Sequence, residues 1–206
     1  TGSTVYNCAV EGSLLAAQSP SLKYTSSGLD VYNFYWLCIY LTWDEELDYF
    51  EWLEEQPDAR ILPETEYLKE TLDTIDMSKI DTIAIMYDGS DYLAGSLYYN
   101  EQNPTDVMTF AGNLAAGIDV LQAKYPEIRI IVLSPTYAYG EDEKGNLVSS
   151  DLKEYNKLKN REALSSYMLK EGEVTGERGI TFIDNLYGTF DEDEAPEYLK
   201  DQIHLN

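Results

Sequence analysis

Short runs of β-branched and apolar residues alternate with longer stretches of helical periodicity along this chain. The runs Thr82–Met86, Ile128–Leu133 and Gly179–Ile183 are predicted strands, and Thr4–Val10 is a fourth. Strands that alternate with helices are typical of a parallel sheet covered by helices. The sequence therefore predicts an α/β fold, in which functional residues gather where strands end.

The predicted helices lie between these runs. They cover Leu29–Trp43, Asp44–Glu55, a segment opened by Pro63, a segment from Asn103-Pro104 to Tyr125-Pro126, and Asp151–Lys170. The polar stretch Tyr139–Val148 predicts a loop, and so does the tail from Asn185 to Asn206. No repeat or linker divides the 206 residues, which predicts a single domain over residues 1–206.

The charge balance excludes several classes of partner. Asp and Glu number 38 against 14 Lys and Arg, a formal net charge of −24. That field repels phosphate backbones, so we expect no nucleic-acid partner and no anionic membrane surface. The longest nearly apolar run, Val31–Trp43, is too short to cross a bilayer, so no transmembrane segment is expected. Cys8 and Cys38 are too few for a disulfide framework, although one bridge stays open.

The single histidine, His204, limits the chemistry available. One histidine and two distant cysteines cannot build a zinc site of the usual kind. The acidic run Asp191–Glu194 lacks the alternating oxygen spacing of a dedicated calcium loop, so we expect no metal and no cofactor. Asp201 stands three residues before His204, a spacing that lets a carboxylate orient the imidazole for acyl transfer. In so acidic a chain, an acid three residues before the histidine also arises by chance. His204 would then be an ordinary surface histidine.

Two further segments follow predicted strands. Tyr87–Tyr92 comes directly after a buried strand and could present backbone N–H groups and short side chains to a ligand, or could be a strand-ending turn. Gly12 follows the first strand and could equally sit in a tight turn. Aromatic residues within 32–52 could rim a sugar-binding cleft but are more often core. The sequence has no G-x-x-x-x-G-K, G-x-G-x-x-G or G-x-S-x-G motif.

Taken in order, three segments resemble the SGNH (GDSL-type) hydrolase family over Thr4 to Asn206. They are Val5-Tyr6-Asn7 through Gly12, Tyr87–Tyr92, and the ending Asp201-Gln202-Ile203-His204-Leu205-Asn206. The resemblance implies a three-layer α/β/α, flavodoxin-like parallel sheet and ester hydrolysis by a serine nucleophile without a cofactor. It also implies that His204 is the general base, that Asp201 orients it, and that Gly12 and Ser90 belong to the oxyanion hole.

The sequence departs from the family at two places. Asp88 and Ser90 stand where the family has Gly and the oxyanion-hole Asn, and losing one such donor commonly lowers the rate about 10²–10³-fold. No Gly-Asp-Ser occurs in the chain. We therefore expect the nucleophile before Thr1, on the central strand of the order 2-1-3-4-5, and expect both ends to be truncated. Thr4–Val10 and Thr82–Met86 should then face an empty slot of about 9–10 Å.

The expected function is that of a serine esterase that removes small acyl groups, with acylated carbohydrate as the first substrate class. The alternative is a non-catalytic carbohydrate-binding or structural member of the same fold. An enzyme that works by carboxylates alone is a third reading. The oligomeric state has no signal in the sequence, and family habit with acidity favours an extracellular or cell-surface location.

Overall fold

The computed structural model describes residues 2–18, 32–43, 66–152, 156–157 and 162–206. The helices are α1 Phe34–Thr42, α2 Glu66–Asp73, α3 Ser90–Ala94, α4 Phe110–Lys124, α5 Leu164–Glu177 and α6 Ala195–Tyr198. The strands are β1 Thr82–Met86, β2 Arg129–Leu133, β3 Tyr139–Glu141, β4 Leu147–Ser149 and β5 Thr181–Ile183.

Three parallel strands form the central sheet in the order β1-β2-β5. Ile85 pairs with Val132, and Val132 pairs with Phe182, so these side chains share one face. Helices flank the sheet, which gives the three-layer α/β/α architecture expected from the sequence. Three predicted strands are thereby confirmed, and their consecutive order fits the last three positions of the expected sheet.

The core lies between the sheet and the helices α1, α4 and α5. Its large aliphatic members on α4 are Leu114, Ile118 and Leu121, each at most 1% exposed. Gly117 lets α1 approach α4 closely, because a Cβ there would lie 2.5 Å from the ring of Phe34. A larger residue at 117 would separate the two helices.

The helix predicted from Asn103-Pro104 begins later, at Phe110. The N-cap Thr109 accepts a hydrogen bond from the Gly112 N–H through Oγ1 at 3.1 Å. The preceding turns are held by Asp106, whose Oδ1 accepts from the Met108 N–H. Side chains that cap backbone donors favour turns over helix, and this moves the start of the helix.

The predicted strand Thr4–Val10 is wrong. The segment is irregular, and Val5 is 85% exposed. A strand needs a neighbour that takes its ladder hydrogen bonds, and no described strand pairs with this segment or with the outer edge of β1. The expected pair of strands across an empty slot is therefore not present in the described ranges.

The predicted loop Tyr139–Val148 is wrong as well, because β3 and β4 form a hairpin with Tyr139 opposite Ser149. Its turn is closed by Asp142, which accepts from the Lys144 and Asn146 N–H groups through Oδ1. Gly145 adopts a φ of +84° in this turn, which glycine tolerates. Because polar turn residues dominate this stretch, the sequence pattern did not indicate its two short strands.

The helix predicted over Asp151–Lys170 is confirmed only in its second half, within α5. Before α5, Lys157 binds the hairpin, since its N–H donates to the Glu141 carbonyl at 2.7 Å and its Nζ lies 2.7 Å from Glu141 Oε2. Asn156 also reaches in and donates to the Tyr92 hydroxyl. These contacts hold the chain against the hairpin instead of in a helix. Residues 153–155 and 158–161 lie outside the described ranges.

The structure confirms some of the remaining expectations from the sequence and does not describe the residues of others. The helix predicted over Leu29–Trp43 is confirmed for Phe34–Thr42, where Asn33 Oδ1 caps the Trp36 N–H at 3.2 Å, and residues 29–31 lie outside the described ranges. The prediction for Asp44–Glu55 lies outside the described residues. Cys8 and Cys38 are both free thiols. Across the described parts of the chain, every helix is too short or too polar to cross a membrane.

Candidate active site

The Asp201 carboxylate and the His204 imidazole form a hydrogen-bonded pair. Asp201 Oδ2 lies 2.8 Å from His204 Nδ1, and Oδ1 accepts from the His204 and Ile203 N–H groups at 2.8 and 3.0 Å. The backbone N–H groups of His204 and Ile203, and then the imidazole, lower the pKa of Asp201 to about 2. The carboxylate thus stays ionised at neutral pH and faces Nδ1, so that Nε2 is the ring nitrogen directed away from Asp201.

The loop that carries this pair is pinned at both ends. Leu199 and Leu205 form an antiparallel bridge, in which the Lys200 N–H donates to the His204 carbonyl at 2.9 Å. The Tyr139 N–H donates to the Gln202 carbonyl at 2.9 Å, which ties the loop to β3. The backbone that carries the imidazole is therefore fixed, and 34% of the His204 side chain is exposed.

The His204 loop lies against the segment that follows β1. A Cβ at Gly89 would lie 2.9 Å from Ile203 Cγ2 and 3.1 Å from Ala138 Cβ, so the loop packs directly on the backbone there. Gly89 is buried and precedes Ser90. The structure thus brings the residues beside His204 and beside Ser90 into contact.

Ser90 has one of its two donors already occupied. Its backbone N–H donates to Asp88 Oδ1 at 2.8 Å, in a two-residue side-chain turn. Ser90 is half-buried, and only its hydroxyl could be turned toward a ligand without breaking this bond. The neighbouring Asp88 carboxylate also places negative charge close to the position expected to bind an oxyanion, which opposes that role.

Gly12 occupies an exposed turn three residues before Leu15. The Ser13 N–H donates to the Val10 carbonyl at 3.2 Å across this turn, and Gly12 has a φ of +77°. A positive φ at the third residue of such a turn favours glycine. Gly12 therefore lies in a tight turn, the alternative that the sequence offered beside a binding loop.

Asp91 joins the Gly12 loop to the Ser90 segment. Its carboxylate accepts from the Leu15 N–H at 2.7 Å and the Ala16 N–H at 3.1 Å, and Asp91 is only 1% exposed. The sequence analysis includes Asp91 in the Tyr87–Tyr92 segment but assigns it no role. One acid among 38 carries no signal of burial, and only the folded contacts reveal it.

A cavity of about 290 Å³ adjoins the Asp201–His204 pair on the side of the carboxylate. It lies between the hairpin and the tail, and Asp201 forms part of its wall. Its other lining residues are Tyr139, Leu147, Pro196, Leu199 and Lys200. The lining is mostly apolar and the space is wide open to solvent, so it is a surface groove and not an enclosed pocket.

In the described ranges, no group of three or more His, Cys, Asp or Glu side chains converges to form a metal site. The acidic run Asp191–Glu194 is instead organised by backbone contacts, since Asp191 Oδ1 accepts from the Asp193 and Glu194 N–H groups.

Comparison with known proteins shows the fold of this chain but not its activity. No family model and no curated protein matches the chain. One solved chain is 24% identical with a TM-score of 0.50, and it covers 66% of this chain and 61% of its own. A protein from Lactobacillus plantarum is 22% identical with a TM-score of 0.52, covering 65% and 62%.

A third solved structure, described as a possible lipase from Chitinophaga pinensis, is 16% identical with a TM-score of 0.42. It covers 57% of this chain and 47% of its own length, a likeness too slight to bear on activity. The chain spans about three fifths of the length of the first two structures that it matches. The first two likenesses show that the chain shares its fold with solved proteins.

Proposed function

We propose that this chain carries the base and orienting acid of an SGNH (GDSL-type) serine esterase. The observation that carries the proposal is the Asp201–His204 pair at 2.8 Å, on a loop packed against the segment that follows β1. The pair lies beside strand ends, where α/β sheets place their sites.

In the proposed reaction a serine hydroxyl attacks the ester carbonyl while His204 Nε2 takes its proton. The tetrahedral oxyanion collapses, the bond to the alcohol breaks, and His204 returns the proton to the leaving oxygen. Water then attacks the acyl-enzyme with His204 again as the base, which releases the acid and restores the serine. Asp201 stabilises the imidazolium that forms in each half.

None of the described serines stands in a Gly-Asp-Ser motif, so the described residues do not identify the nucleophile. We place it on a strand that pairs with the outer edge of β1. That edge has no described partner, and Met86 on β1 is 45% exposed. A strand there would end beside Gly89 and the His204 loop, because parallel strands end at the same edge of a sheet.

Oxyanion binding in this proposal falls to the Gly12 N–H, the nucleophile's own N–H and the Ser90 hydroxyl. Ser90 is a weaker candidate than a carboxamide, since its N–H already binds Asp88. The substrate class is small acyl esters, with acylated carbohydrate first, and the cavity next to Asp201 offers an apolar wall for a part of the substrate remote from the bond that breaks.

A second function is favoured by the same departures. With Ser90 for Asn and Asp88 nearby, the site could bind an acylated carbohydrate without cleaving it. A fluorophosphonate probe separates the two functions, since it forms a phosphonyl ester with an activated serine and releases fluoride.

The experiment treats the full-length gene product with this probe and locates the adduct by mass spectrometry. An esterase predicts one labelled serine, with labelling that is lost in His204→Ala and kept in the control Asp81→Asn, which lies at the far end of β1. No adduct at any serine, together with binding of an acylated sugar, would establish the binding protein instead.

A further inference from the structure

The interior next to the candidate site holds two carboxyl groups, Asp91 and Glu171, each 1% exposed. They come from different elements, α3 and α5, and their charges act on each other. Ionising both carboxyl groups in a buried site would cost free energy, because little water solvates their charges. One of them therefore carries a proton at neutral pH.

Hydrogen bonding decides which group is ionised. Asp91 accepts from the Leu15 and Ala16 N–H groups and also hydrogen-bonds the Ser96 side chain. Glu171 Oε2 is buried with no partner among the described residues. Donors stabilise a carboxylate, so the negative charge belongs on Asp91 and the proton on Glu171.

We propose that ionised Asp91 is a positioning residue that holds the Leu15–Ala16 backbone, and with it Gly12, against the Ser90 segment, and that a proton on Asp91 loosens this loop. A protonated carboxyl has one oxygen that donates instead of accepting, so one of the two loop N–H groups loses its partner. The oxyanion-binding role of this loop rests on the proposed function. The clamp, by which Asp91 holds the Leu15–Ala16 backbone, does not.

The titratable groups around Asp91 set the pH at which this occurs. Burial raises the pKa of Asp91 to about 6, the Leu15, Ser96 and Ala16 donors oppose that rise, and Asp88 adds to it. Glu171 faces Asp91 from α5, and burial, then the charge of Asp91, raises its pKa well above the usual range. Tyr87, at the end of β1, also feels the charge of Asp91 and remains neutral because burial raises its pKa.

The test follows this chain by NMR from about pH 8 to about pH 5. It records the carboxyl carbon shift of Asp91 and the amide shifts and hydrogen exchange of Leu15 and Ala16. One common midpoint near pH 6 is expected. At least one of the two amides should exchange about tenfold faster or more, beyond the intrinsic effect of pH, below that midpoint. Amides that stay unchanged while Asp91 titrates would overturn the proposal.

Glu171→Gln is the matched control, because a neutral amide replaces a neutral acid of the same shape. It should leave the midpoint of the loop in place, and a midpoint that moves would assign the charge to Glu171 and reject the proposal. Asp91→Asn should show fast exchange at Leu15 or Ala16 with no pH step. The Leu114 amide should stay protected throughout, since its simultaneous loss would mean global unfolding and would also reject a local clamp.

These measurements need no substrate and no nucleophile. The clamp can therefore stand if the esterase proposal fails, and it can fail while hydrolysis is found. An activity profile alone would not separate the clamp from hydrolysis, because it reports both at once.

Discussion

Ile203 packs so closely over Gly89 that a β-carbon at position 89 would lie 2.9 Å from its Cγ2 atom. Ile203 is the neighbour of His204, and Gly89 is the neighbour of Ser90. This contact sets how the imidazole stands relative to the segment after β1, so it links the fold to the proposed chemistry.

Gly89→Ala should therefore displace the His204 loop. The added methyl group should lower the free energy of unfolding by about 1–3 kcal/mol, the usual effect of overpacking, and should shift the His204 ring resonances. The matched control is Gly176→Ala, where the space is open and the helical position should gain about 0.5–1 kcal/mol. Denaturant unfolding and NMR measure both effects. Unchanged His204 resonances in Gly89→Ala would refute the coupling.

Ser90 should limit the rate of the proposed hydrolysis. Ser90→Asn restores a longer donor and should raise kcat of the full-length gene product by up to about 10²-fold, and Ser90→Ala should lower it by about tenfold. Ser78→Asn, on an exposed turn before β1, is the control and should change nothing. Steady-state kinetics on an acetyl ester report kcat and KM separately. Equal kcat values in all three Ser90 forms would remove Ser90 from the oxyanion hole.

Asp201→Asn should impair the orientation of the imidazole more than the binding of substrate. An amide nitrogen facing His204 Nδ1 favours the wrong tautomer, so kcat should fall about 10²–10⁴-fold with little change in KM. Asp81→Asn makes the same chemical change at the opposite end of β1 and should keep full activity. A mutant that loses activity through KM alone would contradict the orienting role.

Stability should rise as the pH falls from about 8 to about 5. The folded-state pKa values of Asp91 and Glu171 lie above the unfolded ones, because burial penalises their charges. Their contribution is fully present below the unfolded pKa, near 4, and is lost as the pH rises through about 6 for Asp91. Asp201 has the opposite sign, and its contribution is lost only as the pH falls toward about 2.

Urea unfolding at about pH 5 and about pH 8 measures this dependence. Salt at about 1 M shortens the screening length to about 3 Å and so suppresses repulsion within the acidic chain. Asp91→Asn should flatten the pH dependence, because it removes one of the two buried titrating groups. A wild-type protein that is more stable at the higher pH would contradict the burial of these carboxyls as acids.

The three strands of the central sheet could be predicted because run length and β-branching identify strands, but the expected burial of Thr82–Met86 is wrong, since Ile85 is its only buried residue. Thr4–Val10 is also β-branched and apolar, but no described strand pairs with it, and pairing is set by the tertiary fold. The hairpin of β3 and β4 was hidden since polar turn residues around Asp142 dominate its local pattern. Spacing alone paired Asp201 with His204, whereas nothing local distinguished Asp91, whose role depends on burial and on donors 75 and 76 residues away.

The most direct test of the account is the rate of acetyl-ester hydrolysis by the full-length gene product, compared with that of His204→Ala. The account predicts a loss of about 10³-fold or more in kcat, since the serine would lack its base, with the fold retained by circular dichroism. Equal rates in the two proteins would contradict the assignment of His204 as the general base.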